Sequence, residues 1–165
     1  MHNNRCGDID PAIVPYIMNK TGMNADEMNE YMNKKCGFLG VSGVSSDCRD
    51  VSAAAKAGNK RAKLALDIVS YQIRKFIGAY VAAMDGVDAI VFTGGIGENT
   101  CDLREDVCKH LTYLGVKIDC EKNLELRKGK EGELSTPDSK VRVFVLPTNE
   151  ELLIARDTKA IVEKL

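Results

Sequence analysis

The sequence has no excess of charge of either sign: 23 Lys and Arg stand against 24 Asp and Glu, a net charge of -1 over 165 residues. Without a basic surplus there is no electrostatic reason to expect a nucleic-acid partner. No apolar segment reaches the roughly 18 residues that a membrane helix needs, so no membrane association is expected. The N-terminal MHNNRCGDIDP has no apolar core of the kind a signal peptide carries. Six cysteines are present, but no two stand in C-x-x-C spacing, and histidine occurs only at His2 and His110. That removes the usual zinc-site pattern. A chain of this length can build a core without disulfides, so the cysteines read as reduced thiols of a cytoplasmic protein. There is also no internal repeat and no low-complexity linker. What remains is one domain, 1–165, of ordinary globular composition at 44% hydrophobic.

The periodicities then place the elements. Pro11 to Asn19 reads as a short helix with Pro11 in its first turn, where a missing N–H costs nothing. Asn24 is a cap for a helix over Ala25 to Lys35, with Asp26 and Glu27 at its positive end and Lys34 and Lys35 at its negative end. Cys36 to Asp50, rich in Gly and Ser, reads as a loop, and Val51 to Ala57 as a helix ended by Gly58. From Asn59 to Met84, Ala62, Leu66, Val69, Ile73, Phe76, Tyr80 and Met84 form one apolar stripe, predicting a long, centrally buried helix.

Val87 to Thr93 reads as a strand in which Ala89, Ile90, Val91 and Phe92 are continuously apolar, as in a strand covered on both faces. Cys101 to Leu114 returns to helical spacing, with Leu103, Val107, Leu111 and Leu114 on one side and Asn99 or Thr100 as its cap. Val116 to Ile118 reads as a short strand and Leu124 to Asp138 as a surface excursion. Val141 to Leu146 is a second clear strand, with Val141, Val143 and Val145 sharing one face. A last helix, Glu150 to Lys164, places Leu152, Leu153, Ala155 and Ile161 on its buried side. Both clear strands feed a helix through a short polar turn. That predicts an α/β sheet with helices on its faces and ligands at the carboxyl ends of the strands.

The two turns at those ends are TGGIGEN and PTNE. Gly94, Gly95 and Gly97 are more glycine than a bare turn requires. Glycines let a ring or phosphate touch the backbone, and the helix that follows aims free N–H groups at the same space. The dinucleotide fingerprint is excluded because its third glycine is absent, and the P-loop because Gly97 is followed by Glu98 rather than Lys. A tight turn with no ligand fits the spacing equally. Glu150 and Glu151 suit the positive end of a helix, and either offers a hard oxygen to magnesium. In RCGDIDP, Arg5 offers a planar fork of donors to a carboxylate or phosphoryl group, while Asp8 and Asp10 are placed either to neutralise it or to cap the next helix. In VSSDCRD, Ser45, Ser46, Asp47 and Arg49 either surround an adenosine or make an ordinary polar loop.

Taken in order, RCGDIDP, LGVSGVSSDCRD, VFTGGIGEN and LPTNEELLIARDT resemble the C-terminal half of acetate kinases, from about Arg5 to about Val162. GVKID and STPDSKVRV match as well. The resemblance implies a ribonuclease-H-like α/β fold of the actin, sugar kinase and acetate kinase superfamily, with a mixed sheet and helices on both faces. It also implies transfer of the γ-phosphoryl group of ATP to acetate, giving acetyl phosphate and ADP, with Mg²⁺, in a homodimer. Carried over motif by motif, Arg5 is similar to the family's catalytic arginine and Glu150 to the glutamate that positions Mg²⁺. Asp47, Cys48 and Arg49 match the segment beside adenine and ribose. The loop Gly94, Gly95, Ile96, Gly97 and Asn99 matches the one that approaches adenine and the α-phosphate. These segments are expected to face one cleft.

No segment of the chain matches the family's N-terminal domain, and neither His2 nor His110 falls in a family motif. Cys48 stands where many relatives carry a bulky apolar residue. The 165-residue chain alone is therefore expected not to turn over acetate. Propionate or butyrate as acceptor, and a non-catalytic nucleotide-binding or dimerisation module, are the alternative readings.

Overall fold

The computed structural model describes residue 1 and residues 4–164, so His2 lies outside the described residues. The chain divides into two compact units, Met1–Ala83 and Met84–Leu165.

In the first unit, Asp10 accepts the N–H of Ala12 at 2.9 Å and starts α1, Ile13–Thr21. Pro11 therefore precedes the helix instead of occupying its first turn. Gly22, at φ 75°, closes it. The predicted cap at Asn24 is present as a full capping box: its side chain accepts from the Glu27 N–H, and the Glu27 carboxylate accepts from the Asn24 N–H. It opens α2, Ala25–Lys34, whose Met28 is buried.

The segment read as a loop is not one. It holds α3, Gly37–Ser42, and the start of α4, Cys48–Lys56. Phe38 is 1% exposed, and its burial outweighs the weak helix propensity of the glycines and serines around it. α5, Lys60–Met84, has the predicted length, and Arg61 ties its first turn to the carbonyls of Val41 and Gly40 at 2.8 and 3.1 Å. Of its stripe only Ala62 and Val69 are buried, Ala65 and Ser70 outside the stripe are buried as well, and Phe76, Tyr80 and Met84 are exposed. Periodicity decides which face of a helix is apolar, but it does not decide how far along that face the fold supplies a partner.

The second unit begins with β1, Ala89–Phe92, followed by α6, Gly94–Asn99, and α7, Cys101–Lys109. The stripe to Leu114 is thus broken after Lys109, and a single 3₁₀ turn spans Thr112–Leu114. Then come α8, Cys120–Glu125, β2, Gly132–Glu133, β3, Arg142–Val145, and α9, Glu150–Val162. The sheet order is β1-β3-β2, with β1 and β3 parallel in the register Ile90↔Val143 and Phe92↔Val145, and β2 antiparallel to β3. This is the expected α/β mixed sheet.

Its core lies on one face, where Ile90, Phe92, Val143 and Val145 are buried, and Val107, Leu111 and Leu134 are further buried side chains of the unit. Val91 is 49% exposed, so β1 alternates instead of being covered on both faces. Val116 makes only an isolated bridge, to Val141. The expected surface excursion contains β2 and the fully buried Leu134, which donates its N–H to the Val143 carbonyl at 2.7 Å. Glu133 of β2 pairs with Arg142 of β3, and this bond holds the Glu133 carboxyl down to about 2. α9 departs most from expectation, because every described residue in it is exposed, Leu153, Ile154 and Ile161 at 60%, 65% and 63%.

Candidate functional site

β1 and β3 run parallel, so their carboxyl ends share one edge of the sheet, and the Leu146 N–H donates to the Phe92 carbonyl there at 3.0 Å. Each end leads into a helix. After Thr93, which is extended and supplies no side-chain cap, the glycine stretch is itself the short helix α6. The helix start facing the strand end is therefore Gly94, not Cys101 as expected, and its first amides lack partners within the helix. Past β3, Asn149 caps α9 by accepting the Leu152 N–H at 3.1 Å. The two turns are joined. Glu98 accepts from the N–H of Thr148 at 3.0 Å and from its hydroxyl at 3.3 Å.

The glycines do different work. Gly94 sits at φ 71°, where a side chain is strained, and a Cβ on Gly94 or Gly95 would meet nothing within 4 Å. The space above both is open. Gly97 is instead a packing residue, since its Cβ would stand 3.3 Å from the Phe92 carbonyl carbon. Ile96 is half-buried between them. Asn99 is turned inward to the loop. Its amide donates to the Gly95 carbonyl at 2.9 Å, and its oxygen accepts from the Lys128 N–H at 3.3 Å.

Glu150 is the first residue of α9 and is exposed. Among the described residues no hydrogen bond or ion pair occupies its carboxylate, and no three His, Cys, Asp or Glu side chains converge on a metal position. A cation at Glu150 would take one oxygen from this chain and the rest from phosphate and water. That donor set fits magnesium, which is commonly held by one carboxylate beside a nucleotide.

The remaining candidates belong to the first unit. Arg5 is exposed and lines an open cavity of about 430 Å³ with Cys6, Gly7, Asp8, Met32 and Asn33. The Cys6 N–H, donated to the Met32 carbonyl at 3.0 Å, anchors that stretch to α2. Asp10 is engaged with the Ala12 N–H just ahead of α1, and among the described residues no acid pairs with Arg5.

Asp47 caps α4 through the Arg49 N–H at 2.8 Å and binds the Arg49 guanidinium at 2.6 Å. Cys48 is half-buried, its sulfur 3.9 Å from the Ser52 hydroxyl. The Arg49 side chain, and then its backbone N–H, hold the Asp47 carboxyl down to about 2. The folded value lies below the ordinary 3.8, so the cap is complete above the ordinary value and is lost as pH falls through about 2. Arg49→Ala should move the Asp47 midpoint upward toward 3.8, read by carboxyl-carbon NMR.

One residue escaped the sequence reading. Arg104 of α7 is fully buried and holds the carbonyls of Gly97 and Glu98, both at 2.7 Å. Its signal was available: Arg104, Val107 and Leu111 stand at spacings of three and four, so a cation occupies the apolar stripe. Asn123, which accepts from Arg104, carried no signal at all.

The sequence profile described as the Acetokinase family matches residues 1–156. An acetate kinase of Clostridium botulinum (strain Loch Maree / Type A3) is 59% identical over 160 residues, which cover 97% of this chain and 40% of that protein. The crystal structure of Porphyromonas gingivalis acetate kinase superposes with a TM-score of 0.88 at 49% identity, over 98% of this chain and 40% of that one. A propionate kinase from Francisella tularensis subsp. tularensis SCHU S4 gives 0.82 at 39% identity, over 93% and 38%. The chain thus spans about 40% of the length of the curated relatives it matches.

Proposed function

The chain belongs to the acetokinase family, and on that premise we propose that it is the C-terminal, nucleotide-holding domain of an acetate kinase, which passes the γ-phosphoryl group of ATP to acetate. The observation that carries this reading is the open space over Gly94 and Gly95 at the start of α6, bonded through Glu98 to the turn that bears Glu150. The amides at the start of α6 would bind phosphate oxygens, and the absence of side chains at Gly94 and Gly95 would let the nucleotide lie against the backbone. Asp47, Cys48 and Arg49 would flank adenine and ribose.

Glu150 would hold Mg²⁺, which offsets the charge on the phosphates. Arg5 would orient the acetate carboxylate or stabilise the phosphoryl group in transfer; it suits either role because its guanidinium is free of acidic partners among the described residues. The protein would work in the cytoplasm as a homodimer. The exposed apolar end of α5, with Phe76, Tyr80 and Met84, supports a contact between copies.

Calorimetric titration with MgADP tests the reading. Gly95→Val fills open space, so it should leave the melting temperature unchanged while weakening nucleotide binding by about tenfold or more. Glu150→Ala should abolish the Mg²⁺ dependence of that affinity. A Gly95→Val chain that bound MgADP as tightly as the parent would remove the nucleotide from this turn.

A further inference from the structure

Arg104 is an unusual buried cation. It is 0% exposed, and among the described residues no carboxylate pairs with it. Burial pushes its pKa down from the ordinary arginine value. An unpaired buried charge is costly unless hydrogen bonds replace water completely. Here they do, through all five N–H groups. Nη1 donates to the carbonyls of Gly97 and Glu98, both at 2.7 Å. Nε donates to the Asn123 side-chain oxygen at 2.8 Å. Nη2 donates to the carbonyls of Asn123 and Leu126 at 2.9 and 2.8 Å. The acceptors are the last carbonyls of α6 and the last carbonyls of α8, two negative helix ends with one cation between them. Asn123 is itself locked, since its amide donates to the Cys101 carbonyl at 3.0 Å.

A lysine cannot reproduce this arrangement, because it has three donors on one atom and no planar fork. A purely apolar side chain would fill the volume but leave four main-chain carbonyls without their donor. Arg104 also acts on the side of α6 away from the open space over Gly94 and Gly95: it holds the carbonyl end of that helix, while among the described residues nothing accepts from the Gly94 and Gly95 amides.

We propose that Arg104 is a positioning residue that sets the shape of the Gly94–Asn99 turn, holding its amides in place for an anionic ligand without touching that ligand. The ligand half of this statement rests on the nucleotide reading above; the shape half does not.

Hydrogen exchange and MgADP titration on the full chain separate the two. Arg104→Lys should raise amide exchange across Gly94–Thr100 by about tenfold and weaken MgADP by a similar factor. Asn123→Ala removes one acceptor of the five and should shift both in the same direction by about threefold, which keeps the test open if the lysine variant does not fold. Val107→Ala, a cavity in the same helix that breaks none of these bonds, supplies the comparison at matched loss of melting temperature. It should leave exchange in the turn and MgADP affinity within about twofold of the parent. Equal changes in Val107→Ala and Arg104→Lys would reduce Arg104 to a stability residue and overturn the proposal. A parent chain that binds no MgADP would end the nucleotide reading, while exchange in the turn would still judge the clamp.

Discussion

Given ATP, Mg²⁺ and acetate, the 165-residue polypeptide is expected to form acetyl phosphate at least about 10⁴-fold more slowly than the full-length relatives, because the groups that orient a second substrate supply that much or more. The residues proposed here account for a nucleotide, a metal and one arginine. Phosphoryl transfer depends on placing the acceptor in line and surrounding the transferring group with charge. No segment of this chain corresponds to the other 60% or so of the relatives, whose length it covers to 40%. Adding the remaining portion of the Clostridium botulinum enzyme, expressed separately, should restore acyl-phosphate formation in a hydroxamate assay. α9 gives such a partner something to cover, since Leu153, Ile154 and Ile161 are all at least 60% exposed. In the restored mixture Arg5→Ala should again lower the rate, by about 10³-fold, as expected for loss of a cation at a transferring phosphoryl group. Acetyl phosphate formation by the polypeptide alone, near the rate of the intact enzymes, would refute the division of labour.

Leu134→Ala is expected to cost about 3 kcal/mol of folding stability in urea titrations, the usual loss for a fully buried leucine. Leu134 is 0% exposed and stands between β2 and the Ser135 pairing, in a segment whose charge and glycine content read as solvent-facing. Leu153→Ala is the counterpart. Its leucine lies on the side of α9 that reads as buried but is 60% exposed, so the change should stay within about 0.5 kcal/mol. If the two variants are equally stable, or if their order is reversed, the core is not where the fold places it.

The two leucines mark the limit of sequence reading in this protein. Asn24 with Glu27, the 25-residue α5, and the alternation of Val141, Val143 and Val145 were all legible, because each depends on neighbours within one or two turns or on the period of one strand. So was the position of two polar turns at the strand ends, Thr93–Asn99 and Pro147–Glu150, since each follows directly on an apolar strand. The exposure of α9 was not legible. An apolar pattern states that a face needs covering, while the cover is a property of whatever else folds beside it.

The individual tasks of the glycines were equally out of reach. Gly94 and Gly97 look alike in the sequence; only the distance to Phe92 makes one a packing residue and leaves open space above the other. Nor did the sequence state that Asp47 and Arg49 hold each other while Asp47 caps α4. The order of motifs by itself determined the family, because such motifs are local chemistry written along the chain. Tertiary structure alone decided that Arg104 lies under the glycine turn with five oxygens around it, because Gly97, Asn123 and Leu126 reach one guanidinium only after α6, α7 and α8 have packed.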